Sequence, residues 1–241
     1  MAGQADERGE ASAQLRALVV PLRHATISSR LQATILAIGP ENGEAFAAGD
    51  QLVAFDCRSY EAERLRAVAS ADAAEAAARV REELARAGST SRLQALLAEA
   101  DAARARADVA VAEQVVAECV IAAPFAGRVV KRIANAHETV GFGTPLVEIV
   151  ADREVEFRAL VPSRLVGRVA IGDPLSVRID ETGASYRAKV SAIGAWIDNV
   201  SGIVELRASL AGDGTGLLPG MSGTASITMA RERRDDADGA P

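Results

Sequence analysis

The chain is short of the residues that most readily announce chemistry. Of its 241 residues two are cysteine and two histidine, and no Cys-x-x-Cys occurs, so a Cys/His zinc cage cannot be assembled with ligands to spare. Aromatic residues make up only 3%, so the hydrophobic 49% is built mainly of alanine, valine, leucine and isoleucine. That mixture can bury a core and argues against a chain disordered throughout. Lysine is confined to Lys131 and Lys189, the other basic residues being arginine, and the formal net charge is −6. An acidic balance disfavours nucleic-acid binding, because neutralising phosphates takes a basic face. No apolar run approaches the roughly 20 residues that span a bilayer. Met1 to Glu10 is polar and net acidic, with neither the basic start nor the apolar stretch of an export signal, and reads as the head of a soluble chain.

What is present changes character along the chain. Residues 1–14 are glycine, alanine, serine and charge, and read as a disordered tail. From Leu15 to Asp56 short apolar runs alternate with turn residues. Leu18 to Pro21, Ala33 to Ile38 and Gln51 to Phe55 read as strands, with Pro40, Asn42, Gly43, Gly49 and Asp50 supplying the turns. Residues 61–118 then hold 21 alanines, one glycine and no proline. Alanine, leucine, glutamate, arginine and glutamine carry the lowest helix cost, so this stretch is helical. Its one break is Ala87-Gly88-Ser89-Thr90-Ser91, where Gly88 suits a left-handed helix end and the serines and threonine offer N-caps. Val80 and Leu84 before the break mirror Leu93, Leu96 and Leu97 after it, and Leu65 and Val68 mirror Val109 and Val111. Two helices of about 28 residues, each about 42 Å long, are expected to fold back as an antiparallel hairpin, with alanine in the seam letting them approach closely.

An internal repeat straddles that hairpin. Residues 33–56 and 127–150 superpose with a constant offset of 94 and no gap. Ile35 meets Val129, Glu44 meets Glu138, Phe46 meets Val140, Gly49 meets Gly143, Leu52 meets Leu146, Val53 meets Val147 and Phe55 meets Ile149. Few positions are identical, but the apolar and glycine spacing is kept. Neither half can bury its apolar face alone, so the two are expected to close into one small β-sandwich with the hairpin inserted between them. From 153 onward, strands at Val155–Val161, Leu175–Ile179, Tyr186–Ile193, Ile203–Leu210 and Gly223–Met229, with one short helix in Pro162–Val169, suggest a small closed barrel. Residues 230–241 read as a second solvated tail.

Each half resembles half of a lipoyl or biotinyl carrier domain. The run Ala123-Pro124-Phe125-Ala126-Gly127-Arg128-Val129, continuing to Val140-x-x-Gly143-x-x-Leu146-x-x-Ile149, is similar to the split lipoyl domain of periplasmic adaptor proteins. These are the HlyD-like membrane fusion proteins of RND-type and related efflux and secretion systems. Leu218-Pro219-Gly220-Met221 resembles an element that such proteins carry before the last barrel strand. The resemblance covers about residues 18–229. It implies a mainly β, elongated fold with an inserted α-helical coiled-coil hairpin, a split lipoyl-like β-sandwich and a small β-barrel. The expected divisions are 15–56 (a strand leading into the barrel and the first lipoyl half), 57–120 (the antiparallel coiled-coil hairpin), 121–152 (the second half) and 153–229 (the barrel). Many family members continue into a membrane-proximal β-domain, whereas this sequence stops after the barrel.

The function implied is a non-enzymatic adaptor of the cell envelope that links an inner-membrane transporter to an outer-membrane channel. Copies would stack in a ring, a trimer or hexamer, with hairpins directed at the channel. No cofactor, metal or nucleic acid is implied. Adaptors of this kind resemble one another at the tip, with arginine, leucine four positions on, and serine seven further. Leu84 and Ser91 match that spacing, while the arginine position falls on Val80 between Arg79 and Arg81. The partner-binding residues expected on this basis are Arg81, Leu84, Ser91 and Arg92. A plainer role for the matched pair, in which Leu84 closes the hairpin and Ser91 caps the second helix, is compatible with it. The alternatives are a non-exported coiled-coil scaffold and a lipoyl or biotinyl carrier subunit. A carrier needs a lysine in the turn between halves, but that turn reads Asp56-Cys57-Arg58.

No catalytic constellation is visible. Gly-x-Ser-x-Gly is absent, His24 and His137 lack evident partners, and Gly212–Gly216 lacks the Lys-Ser/Thr of a phosphate loop. Cys57 and Cys119 are equidistant from Gly88, so antiparallel pairing brings both to the hairpin base, and each lies eight residues from a residue expected in the seam, Leu65 and Val111 respectively. Two states fit: a disulfide in an oxidising compartment, or two buried free thiols.

Overall fold

The computed structural model describes residues 11–212 and 214–229, in two compact units: residues 25–149, and the described residues on either side of them. The first strand, β1 (Ala11–Pro21), belongs to the outer unit. Then come β2 (His24–Ser28), β3 (Ala33–Ile38), β4 (Ala45–Phe46) and β5 (Gln51–Phe55), the helices α1 (Arg58–Arg86) and α2 (Arg92–Ala117), and β6 (Val120–Ala122), β7 (Gly127–Arg132), β8 (Thr139–Val140) and β9 (Pro145–Ala151). The chain ends on β10 (Val155–Pro162), α3 (Ser163–Val166), β11 (Pro174–Ile179), β12 (Ser185–Ile193), β13 (Ile203–Leu210) and β14 (Ser222–Met229).

In the inner unit two four-stranded sheets form, ordered β2-β9-β7-β4 and β6-β5-β3-β8. Each takes two strands from before the helices and two from after them, so neither half makes a sheet alone. The 94-residue offset carries β3 onto β7, β4 onto β8 and β5 into β9, and it also carries β2 onto 118–122, which contain β6. The offset therefore exchanges one sheet for the other. Backbone bonds obey the same exchange. Gly43 N donates to Val129 O as His137 N donates to Ile35 O, both at 2.8 Å. Gly49 N donates to Ala123 O and Gly143 N to Ser29 O. The turns need the left-handed region at equivalent places, with Gly49 at φ 88° and Gly143 at φ 81°. His137 takes φ 68° where its counterpart Gly43 has φ 85°, a conformation disfavoured for a residue bearing Cβ. Within the strands the repeated apolar positions point inward: Ile35, Leu52, Val53, Val129, Leu146, Val147 and Ile149 are buried.

The outer unit is a closed six-stranded barrel, ordered β1-β10-β13-β12-β11-β14. Period-two alternation fills it: Val155, Phe157, Ala159 and Val161 of β10 point in, as do Leu175, Val177 and Ile179 of β11. Closure brings Gly223 of β14 so near β11 that a Cβ there would lie 2.3 Å from Arg178 O, and only glycine fits. Leu218-Pro219-Gly220-Met221 ties the barrel wall to β1 through Gly220 N to Val19 O (2.9 Å) and Val19 N to Met221 O (2.8 Å).

One expectation is corrected here. Strand β1 starts at Ala11 and pairs with β14 from Ala11↔Met229 onward, so residues 11–14 are part of the barrel and not of a tail. Pairing to a partner strand supplies order that Ala11-Ser12-Ala13-Gln14 does not signal by composition. Residues 1–10 and 230–241, also expected to be tails, lie outside the described residues.

Candidate functional site

Among the described residues no group of three or more His, Cys, Asp or Glu side chains is placed to hold a metal, and no helix is long and apolar enough to cross a membrane. Lys131 lies in β7 and Lys189 in β12, so neither sits in the turn between the half-repeats. The feature that sets the inner unit apart is the helical excursion between β5 and β6.

Strands β5 and β6 are neighbours in one sheet, with Ala54 opposite Val120 and Val53 opposite Ile121, so the two helices leave and return side by side. Cys57, the residue before α1, and Cys119, two residues after α2, are joined by a disulfide with Cα atoms 6.0 Å apart. Phe55 N donates to Cys119 O at 2.9 Å beside it. Three polar contacts gather at the same base. Tyr60 Oη donates to Gln32 O (2.9 Å), Arg30 pairs with Glu118 (3.1 Å), and Arg58 pairs with Asp56. The Arg58 hydrogen bonds hold the Asp56 carboxyl below its ordinary range.

The helices pack on each other through alanine. On α2 the less exposed positions are Ala95, Ala98, Ala102, Ala105, Val109, Ala112 and Val116, alternating in steps of three and four, with Val115 beside the last of them. The fully buried helical residues are Ala71, Ala102 and Ala105. This corrects part of the sequence reading. Leu65 and Val111, expected in the seam, are 58% and 67% exposed. Methyl groups suffice where backbones approach closely, and a larger side chain in that seam would force them apart.

At the far end α1 closes with Gly88 at φ 73°, Ser89 N donating to Leu84 O (2.8 Å) and Gly88 N to Ala85 O (3.1 Å), the paired bonds of a Schellman turn. Ser91 caps α2, its Oγ accepting from Gln94 N at 3.3 Å. Arg81 and Arg92 are exposed on the two helices, and Leu84 is 39% exposed. Around them Val80, Leu93, Leu96 and Leu97 are each more than half exposed. The hairpin end thus carries five exposed aliphatic side chains among arginines, with its own backbone ends closed internally. The large aliphatic residues near the break were visible in the sequence; that they face outward was not, because helix spacing alone does not say which face meets the partner helix.

No family model matches the chain. Nodulation protein NolF of Rhizobium meliloti (strain 1021) is 27% identical over 195 residues, which are 75% of this chain and 53% of NolF, so the chain spans about half the length of the curated relative it matches. Among solved structures, a MacA–MexA chimeric protein containing the Pseudomonas aeruginosa MexA alpha-hairpin domain superposes with a TM-score of 0.78 at 17% identity, over 92% of this chain and 82% of the chimera. The membrane fusion protein Spr0693 of Streptococcus pneumoniae R6 superposes with a TM-score of 0.75 at 17% identity, over 91% of this chain and 100% of Spr0693. With its paired half-repeats, inserted helical hairpin and closed barrel, the chain has the fold of the membrane fusion, or periplasmic adaptor, proteins.

Proposed function

We propose that the chain is the adaptor subunit of a tripartite efflux or secretion transporter in the cell envelope, linking an inner-membrane transporter to an outer-membrane channel. The observation that carries this reading is the insertion itself: two half-repeats complete each other's sheets, and a long helical hairpin leaves from their junction. The inner unit reads as a split lipoyl-type domain without an acceptor lysine, occupying 15–56 and 121–152 apart from its barrel strand. The excursion over 57–120 reads as an alanine-seamed coiled coil, and the three- and four-residue steps of its least exposed positions support that. The Cys57–Cys119 disulfide suits an oxidising compartment.

The hairpin end is the surface that meets the channel. Leu84 supplies an apolar contact, Arg81 and Arg92 flank it with charge, and Ser91 fixes the start of α2 and so the positions of Leu93 and Leu96. Several copies arranged as a ring would repeat this small contact, and weak contacts repeated around a ring bind through avidity.

Crosslinking in cells tests the reading. A single cysteine at Ser89 or Ser91, carrying a short photocrosslinker, is expected to capture an outer-membrane channel subunit. Capture that is lost in Leu84→Asp supports the assignment. Absence of any channel adduct, with the chain verified as exported, overturns it.

A further inference from the structure

One end of the barrel is built unlike the rest of its surface. Strand registers place the end of β10, helix α3, the start of β11, the end of β12 and the start of β13 together there, along with Ala11 of β1 and Met229 of β14. The loop from β12 to β13 displays Trp196 at 75%, Ile197 at 48% and Val200 at 99% exposure, and Ile171 in the turn before β11 is 71% exposed. Trp196 is the chain's only tryptophan.

The loop holds this apolar display in a fixed shape. The Asp198 carboxylate accepts from Val200 N (3.1 Å), Ser201 N (2.7 Å) and Ser201 Oγ (2.8 Å), and these bonds lower its pKa. Asp198 N donates to Ile203 O, Gly202 N to Asp198 O, and Gly194 N to Glu205 O. Asp173, also at this end, accepts from Ala170 N at 2.8 Å. Helix α3 is tied to the loop by Ser163 N donating to Gly202 O, which sets Arg164 beside it. Neither Arg164 nor Arg168 has an acidic partner among the described residues.

We infer that this end of the barrel docks on the interfacial zone of a lipid bilayer, with Trp196, Ile197 and Val200 entering among the headgroups. Three observations favour a bilayer over a protein partner. The display is the crest of a loop rather than a groove or flat patch, and a deformable medium accepts a crest. Five of the loop's backbone N–H groups, those of Gly194, Asp198, Val200, Ser201 and Gly202, are bonded to Asp198 or to β13, which lowers their cost of leaving water. Tryptophan and aliphatic residues backed by unpaired arginines match the chemistry of the membrane interface, where indole prefers the headgroup level and guanidinium meets phosphate. This goes beyond the adaptor reading, which concerns the hairpin and leaves the barrel end without a role.

The lone tryptophan makes the test direct, and it needs neither transporter nor channel, so its failure is separable from failure of the adaptor reading. Adding phosphatidylethanolamine/phosphatidylglycerol vesicles to the full chain is expected to shift Trp196 emission to the blue and expose it to quenching by brominated acyl chains. Ile197→Ser with Val200→Ser, which keeps the reporter, is expected to weaken vesicle partition roughly tenfold, with circular dichroism showing the fold retained. Emission unchanged by vesicles overturns the inference, as does a shift that the double variant keeps. Emission already blue-shifted without lipid, together with a dimer in sedimentation, overturns it in favour of a second copy covering the loop.

Discussion

The two parts of the inner unit treat large aliphatic side chains in opposite ways. Its sheets bury Ile35, Leu52, Val53, Leu146 and Ile149 almost completely, while the hairpin leaves Leu65, Val80, Leu84, Leu93, Leu96, Leu97 and Val111 between 39% and 67% exposed and buries only alanine. In the sheets, removing about 25 cal/mol per Å² of apolar area from water holds the chain together. The hairpin draws on that far less, through small side chains in its seam. It relies on the high helix propensity of alanine, on closed termini and on the covalent tie at its base, so its leucines remain available to something else. In the proposed function these exposed aliphatic groups supply the contact surface, as contiguous exposed apolar groups commonly do.

Five perturbations break or sharpen this contrast. Replacing Cys57 and Cys119 by serine should cost about 4 kcal/mol, the chain-entropy value for a sequence separation of 62, and thermal unfolding with and without reductant measures it. A variant that melts like the parent would mean the sheets alone hold the hairpin base. Leu52→Ala and Leu146→Ala, equivalent under the 94-residue offset, should each cost about 3 kcal/mol in urea unfolding. Unequal costs would show that the halves share a backbone plan but not a load. In the seam, Ala102→Leu should cost about 2 kcal/mol by overpacking, read as lost helical signal. Smallest of all, Leu93→Ala and Leu97→Ala should change stability by less than about 0.5 kcal/mol, while Ser91→Ala, which removes a cap, should cost about 1 kcal/mol.

Much of this was legible in the residues. The offset repeat was readable because glycine and apolar spacing encode turns and inward positions even when identities drift, and Gly88 with Ser91 marked the helix break through backbone needs specific to those residues. Strands β2, β4, β6 and β8 were not anticipated: two have only two residues and all have sparse burial, so they exist through pairing rather than pattern. The seam was misread for a related reason. In a stretch so rich in alanine, helical periodicity hardly distinguishes a buried methyl from an exposed one, and the eye follows leucine and valine to the wrong face. At the hairpin end, the kinds of residue were visible while their exposure required the packing of both helices.

The placement of the excursion has an engineering corollary. Because it departs and rejoins through a pair of residues whose Cα atoms are 6.0 Å apart, the hairpin beyond the base contacts of Arg58, Tyr60 and Glu118 is an interchangeable cassette as far as the sheets are concerned. Adding one heptad to each helix would lengthen it by about 10 Å at 1.5 Å per residue without altering a single sheet contact. Reach thus becomes a quantity adjustable independently of folding, like the extension of a telescoping arm whose mount stays fixed.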